Sequence, residues 1–529
     1  MKKNRNQVRA VACLLLPLSL VACSDDALFG GLPISAGEGE GAEDLDNTNI
    51  GFGGAGDFGF VRAQLDANQV PQASDIDDVG FFAEHQTTLP PPDCGDRVCP
   101  HAMLGAMANL VDGSDCTLLQ VGLNSPLTID PADRPPLTLA VAVDVSGSMQ
   151  ADDRIGFVRQ GLLRLSNELD DEDQLAIVLY SSTARVALPL TPVAGHRNDI
   201  ADIAQGLVAD GSTNIFDGLD LAFGEVVAAF DATRQHRVIL LSDGVATSGE
   251  TSPALIRAMA AGWVDEGVPL TTVGVGTDFD LELMRGLAED GDGNFYFLDD
   301  ATAVDEVFTE EVATFLMPVA FDVTLSVDLG ADWTLRNVYG VRDFVVNEGG
   351  NGGAVTLNAV YLAGRTDDDD TFEGEGRRGG GAALLLEVMP TTLDAADVSQ
   401  VGEVTVEFTA PGASGPTIMT TSSPEGSVTL PARGRFSSRI VEKSFVMLNL
   451  VVGMRSAATA FYAGQPDEAA SVLDGLVLAA ADYEDSANDG AGDADIAADI
   501  ALLEQFRDVI VAQGGTPDGD NEDDPWPAD

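Results

Sequence analysis

The chain has 529 residues and a formal charge of −59, with 86 Asp and Glu against 27 Lys and Arg. That length leaves room for about three domains with their own cores, and 45% hydrophobic residues excludes a wholly disordered chain. Lys2, Lys3 and Lys443 are the only lysines, so the surface repels phosphate and a nucleic-acid partner is set aside.

The chain opens with Lys2, Lys3, Arg5 and Arg9 ahead of one long apolar run, Val11–Ala22. The run is short of the ~20 residues that span a bilayer, and a positive stretch followed by a short apolar one is an export-signal layout. Leu20-Val21-Ala22-Cys23 resembles the bacterial lipobox. The resemblance implies removal of residues 1–22, lipidation of Cys23 and a place in the cell envelope, periplasmic or surface-exposed. An ordinary cleaved signal with an incidental cysteine is the alternative. Residues 23–80 are expected to form a flexible Gly/Asp-rich tether, with Gly37-Glu38-Gly39-Glu40-Gly41 and Gly51-Phe52-Gly53-Gly54-Ala55-Gly56 too poor in apolar side chains to repay ordering. The segment 81–135 carries Cys94, Cys99 and Cys116. Export favours a disulfide between two of them, and all three pairings are open. A zinc site from these cysteines and His101 is the sharper alternative, but the C-x4-C-x-H spacing and the compartment both argue against it.

From residue 137 strands and helices alternate. Leu137–Val143 is a nearly continuous apolar run, as in a strand buried on both faces. Ile155–Leu169 has helical spacing. Gln174–Ser181 and Arg185–Leu190 are expected strands, and Ile200–Val208 and Ile215–Phe230 expected helices. Arg237–Leu241 is a strand, Pro253–Val264 a helix, Pro269–Val275 a strand and Leu281–Ala288 a helix. Phe295–Leu298 is a short strand before a closing helix, Val304–Phe315. Such alternation implies an α/β unit, a doubly wound and mostly parallel sheet, whose ligands bind at the carboxyl ends of the strands.

Three loops fall at those ends: Asp144-Val145-Ser146-Gly147-Ser148, Gly211-Ser212-Thr213-Asn214 and Ser242-Asp243-Gly244. Asp144, Ser146, Ser148, Thr213 and Asp243 offer two carboxylates and three hydroxyls, hard oxygen donors suited to Mg²⁺ or Mn²⁺. Asp144-x-Ser146-x-Ser148 with Thr213 and Asp243 resembles the metal-ion-dependent adhesion site of the von Willebrand factor type A (VWA) family, over residues 136–317. The resemblance implies that the serines and threonine ligate the ion through hydroxyls, that the aspartates act through water or hydrogen bonds, and that a partner's Asp or Glu completes the coordination. The longer arrangement also looks like bacterial VWA lipoproteins in which a β-rich module and helices follow.

Phe321, Val323, Leu325, Val327 and Leu329 alternate with polar residues, as do Val404, Val406 and Phe408. With Trp333–Val341, Ala354–Leu362, Ala382–Val388 and Ser427–Leu430 they predict an antiparallel β-sandwich-like domain over 318–432. Asp367–Asp370 and Gly374–Gly381 form an acidic glycine-rich loop within it. A helical segment over 433–515 follows, with helices near Val441–Val452, Glu468–Tyr483 and Ile496–Val511 and a break at Gly464-Gln465-Pro466-Asp467. Residues 516–529 are an acidic tail.

Asp290-Gly291-Asp292-Gly293-Asn294 begins like a calcium loop, but Phe295 and Ala301 stand where Gly and Glu are needed, so it reads as a turn. The sequence carries no HExxH, no G-x-S-x-G and no P-loop, which sets aside catalysis and a small-molecule substrate. The expected function is divalent-metal-dependent protein binding or adhesion by a lipid-anchored envelope protein. An envelope scaffold or assembly factor in which the metal is structural is the alternative.

Overall fold

The computed structural model describes residues 48–51, 57–111, 115–127, 135–231, 233–264, 266–298, 303–304, 307–308, 318–363, 381–391, 401–411, 413, 415–422 and 435–517. The expected signal, Cys23, most of the glycine-rich stretch, residues 367–370 and 374–380, the strand Ser427–Leu430 and residues 518–529 lie outside them. Within the expected tether, Thr48–Gly51 is a strand, β1, and Gly59–Asp66 is a helix, α1. A second helix, α2 (Asp78–Ala83), follows, its Asp77 carboxylate accepting the Gly80 N–H. Phe58, Val61, Leu65, Phe81 and Phe82 are all buried, which repays the ordering that the surrounding glycines oppose. The tether reading is therefore corrected over 48–51 and 57–80.

β2 (Cys99–Ala108) and β3 (Asp115–Ser125) pair antiparallel. Of the three cysteine pairings the structure contains Cys94–Cys99, while Cys116 is buried on β3. The zinc alternative has no support in this geometry, because His101 Nε2 sits 2.7 Å from Asn124 Oδ1.

The α/β unit begins with β4 (Leu137–Asp144), buried at every position. It continues through α3 (Arg154–Glu168), β5 (Gln174–Tyr180), β6 (Ala184–Pro192), α4 (Arg197–Gln205), α5 (Ile215–Val227), β7 (Gln235–Ser242), α6 (Pro253–Val264), β8 (Leu270–Val275), α7 (Leu281–Asp290) and β9 (Phe295–Leu298). The strand order is β6-β5-β4-β7-β8-β9, parallel except for β6 at one edge. Leu162, Leu165 and Ile200 from α3 and α4 cover one face, against Val141, Ile177 and Ile239. Leu219, Phe223, Ile256 and Leu283 from α5, α6 and α7 cover the other, against Ala140, Val178 and Leu240. Burial on both sides explains the unbroken apolar runs. Of the expected closing helix only 303–304 and 307–308 are described; Val304, Val307 and Phe308 are buried.

The remaining strands are β10 (Pro318–Leu329), β11 (Trp333–Tyr339), β12 (Val345–Val346), β13 (Gly352–Ala363), β14 (Ala383–Pro390), β15 (Gly402–Thr409), β16 (Thr417–Ser422) and β17 (Arg435–Phe436). They do not close a domain of their own. One antiparallel sheet runs β11-β14-β3-β1-β13-β10-β15-β16, with β2 pairing β3 and β17, and β12 pairing β13. Leu104, Val121, Leu325, Leu386 and Val406, from five strands, share one apolar cluster. Neither a separate segment over 81–135 nor a β domain confined to 318–432 survives: β1, β2, β3 and β17 belong to the same sheet, and the α/β unit is inserted between β3 and β10. Within β10, Asp322 takes a left-handed conformation (φ 49°) where the pairing register with β15 shifts. That bulge turns Phe321 outward, against its expected place in the buried row.

α8 (Arg439–Tyr462), α9 (Pro466–Ser486) and α10 (Ala494–Ala512) pack with α1, α2 and β2 in another apolar cluster. Among the described residues α8 is the one helix long and apolar enough to cross a bilayer, yet its Phe445, Leu450 and Val451 form the protein core. Lys443 is buried there, donating to Asp493, Asp495 and the Gln86 carbonyl. The α/β unit is fastened to this body by Asp57, which accepts the Phe297 N–H, and by Arg342, which pairs with both Asp77 and Glu289.

Candidate metal centre

Asp144 ends β4 and Asp243 follows the last residue of β7. The two strands are parallel neighbours with Val143 opposite Leu241, so their terminal loops leave the sheet side by side. Both carboxylates are buried. Asp144 Oδ1 accepts the Ser146 N–H at 2.8 Å and Oδ2 accepts the Ser242 hydroxyl at 2.9 Å. Ser146 Oγ lies 3.0 Å from Ser148 Oγ, and Ser148 Oγ donates to Asp243 Oδ1 at 2.8 Å. The Thr213 loop is laced to the first by Gly147 N–H on the Gly211 carbonyl and Asp210 N–H on the Val145 carbonyl. Thr213 N–H donates to Thr247 Oγ1. A Cβ placed on Gly244 would lie 3.5 Å from Thr213 Oγ1 and 3.7 Å from Ser148 Oγ, so the two hydroxyls border the space beside that glycine. Ser148 is exposed, and the centre opens to solvent there.

Burial pushes the Asp144 carboxyl up to about 6; the Ser146 and Ser242 hydrogen bonds oppose this and the Asp243 charge adds to it. A cation beside the pair would reverse that penalty. The donor set fits a small hard ion. Adjacent ligands of an octahedral Mg²⁺ at ~2.1 Å stand about 3 Å apart, and the Ser146–Ser148 and Ser148–Asp243 oxygen pairs are 3.0 and 2.8 Å apart. Both Asp144 oxygens are engaged in hydrogen bonds, which leaves them less free to ligate an ion directly. Among the described residues no group of three or more His, Cys, Asp or Glu is placed to hold a metal; this centre is built mainly from hydroxyls.

Two residues of the centre escape sequence reasoning. Ser242 bonds to Asp144, and Arg154, at the start of α3, donates from Nη1 to Asp243 Oδ2 at 2.9 Å and from Nη2 to Asp278 Oδ2 at 2.6 Å. Only the aspartates Asp152 and Asp153, next to the serine motif, hinted at a constrained turn; both adopt left-handed φ values of 46° and 58°.

Residues 138–310 match the family described as von Willebrand factor type A domain. The uncharacterized protein YfbK of Escherichia coli K12 is 30% identical over 277 residues, covering 52% of this chain and 45% of that protein. Bovine inter-alpha-trypsin inhibitor heavy chain H4 is 29% identical over 202 residues, 35% of this chain and 22% of its own length. The chain thus spans less than half of these relatives. Among solved structures, a von Willebrand factor type A protein from Catenulispora acidiphila covers 78% of this chain and 96% of its own, at 16% identity and a TM-score of 0.49.

Proposed function

We propose that this chain, whose residues 138–310 form a von Willebrand factor type A domain, binds a protein partner through a divalent cation held at the strand-end loops. VWA domains mediate protein interactions, often metal-dependent. The observation that supports the reading here is the hydrogen-bonded run Ser146–Ser148–Asp243, whose oxygens stand at the spacing of neighbouring ligands on one ion. Ser146, Ser148 and Thr213 would hold Mg²⁺ or Mn²⁺ through their hydroxyls, with Asp144 and Asp243 supplying charge. The ion, when bound, provides an electrophilic point for an Asp or Glu oxygen of the partner. Attachment to the bacterial envelope through Cys23 completes the reading, which rests on the lipobox-like Leu20–Cys23 alone.

Binding rather than catalysis is proposed because the histidines serve elsewhere. His85 meets Asp499 and His101 meets Asn124, while His196 contacts the Pro192 carbonyl and His236 stacks on Phe230. A second reading, in which the metal is structural and the sheet and helices bind the partner, draws on the insertion of the α/β unit inside the sheet. A pull-down from envelope extract with and without EDTA separates the two. Capture lost with EDTA and with Asp243→Ala, the fold being retained, supports the first, and capture indifferent to both supports the second.

A further inference from the structure

We propose that Arg154 is a positioning residue that sets the charge of this metal centre, holding one oxygen of Asp243 away from the ion so that the loaded centre stays net positive. The inference rests on the metal reading above. Asp144 and Asp243 would neutralise a divalent ion. A guanidinium fixed on Asp243 Oδ2 restores one positive unit, in a chain whose overall charge repels a partner's carboxylate. The opposite oxygen, Oδ1, is the one that faces Ser148.

The fold accepts several unfavourable features to place this side chain. Arg154 is buried, and its Nε has no hydrogen-bond partner among the described residues. Asp152 and Asp153, just before it, are both left-handed. Gly276 (φ +73°) passes so close that a Cβ there would lie 2.5 Å from Arg154 Nε. Strain and a buried orphan donor gathered at one residue mark a position with a task beyond packing. The remaining arm reaches Asp278, which is largely exposed, so part of the counter-charge sits at the surface.

Magnesium titration of the full chain by calorimetry tests this. Arg154→Gln removes a positive charge next to the ion, and Mg²⁺ binding tightens about tenfold. Arg154→Lys keeps the charge and stays within about twofold. An arginine that merely built the Asp243 loop would give the opposite sign, so unchanged or weakened binding by folded Arg154→Gln overturns the proposal. If that variant does not fold, Asp278→Asn decides: losing its counter-charge weakens Mg²⁺ about threefold at low salt, whereas Asp171→Asn, exposed ahead of β5 at the other end of the strands, leaves it unchanged. Equal effects from the two overturn the proposal. Absence of Mg²⁺ and Mn²⁺ uptake by the unaltered chain overturns the metal reading and this inference with it; uptake without tightening overturns this inference alone.

Discussion

Ser148 Oγ stands 2.8 Å from Asp243 Oδ1 although 95 residues separate them. The contact exists because β4 and β7 are parallel neighbours, which sends both terminal loops off the same edge of the sheet. Ser148 is exposed whereas Asp243 is fully buried, so it separates metal binding from folding better than Asp243 does. Ser148→Ala is expected to weaken Mg²⁺ binding at least tenfold with an unchanged melting temperature of the metal-free protein. Calorimetry and circular dichroism on the same preparation check both halves.

Asp243→Ala, by contrast, removes the buried partner of the Arg154 guanidinium and leaves it Asp278 at the surface. Breaking a buried pair from one side costs about 3–5 kcal/mol. The variant is expected to lose metal and also to unfold at markedly lower denaturant than Ser148→Ala, as a urea titration will read.

Gly244 is not a donor, yet it borders Thr213 and Ser148. A methyl added there meets both hydroxyls at ordinary van der Waals distance, so Gly244→Ala is expected to fold normally. Its methyl occupies space beside the ion, and Mg²⁺ affinity falls several-fold. Unaltered affinity would place the cation elsewhere among the loops.

Since the ion binds loops that come together only in the folded chain, it stabilises by mass action. At a concentration one hundred times the dissociation constant the gain is about 2.7 kcal/mol. Adding Mg²⁺ to EDTA-treated protein is expected to raise the melting temperature, with the rise cut by at least about half in Ser148→Ala. Differential scanning calorimetry over a magnesium series makes the comparison.

Lys443 donates to Asp493 and Asp495 within the helical cluster. Lys443→Ala takes the cation from the buried Asp495 and the half-buried Asp493, at a cost of about 3–5 kcal/mol. Urea denaturation is expected to show that loss while Mg²⁺ affinity in the surviving folded fraction stays the same, since the cluster lies outside the α/β unit.

The α/β unit was legible because its signals are local. Leu137–Val143 is apolar without a break, and Asp144, Ser146 and Ser148 sit within five residues of one another. The discontinuous sheet was not legible, because its pairings are remote. β3 is matched to β14, Gly122 to Ala383, across the whole inserted unit, and alternation in either strand alone does not name its neighbour. The helix α1 carried a usable signal in Phe58, Val61 and Leu65, spaced by three and four, but the glycines before it dominated the composition. Arg154 gave none beyond the two aspartates before it: an arginine opening a helix reads as a surface residue until β7 and β8 bring Asp243 and Asp278 to it.

The inserted unit departs from the sheet at β3 and rejoins it at β10, with β1 and β13 lying between those strands. Three strand spacings put the two junctions about 14 Å apart, and the N-terminal segment enters the same sheet as β1, hydrogen-bonded to both β3 and β13. Mechanical load applied at the strand-end loops is therefore divided between two covalent lines and spread over a ladder of lateral bonds, instead of peeling one strand from an edge. A single-pulling-point hinge is foreign to this topology; it behaves as a bracket, gripping its load from two sides.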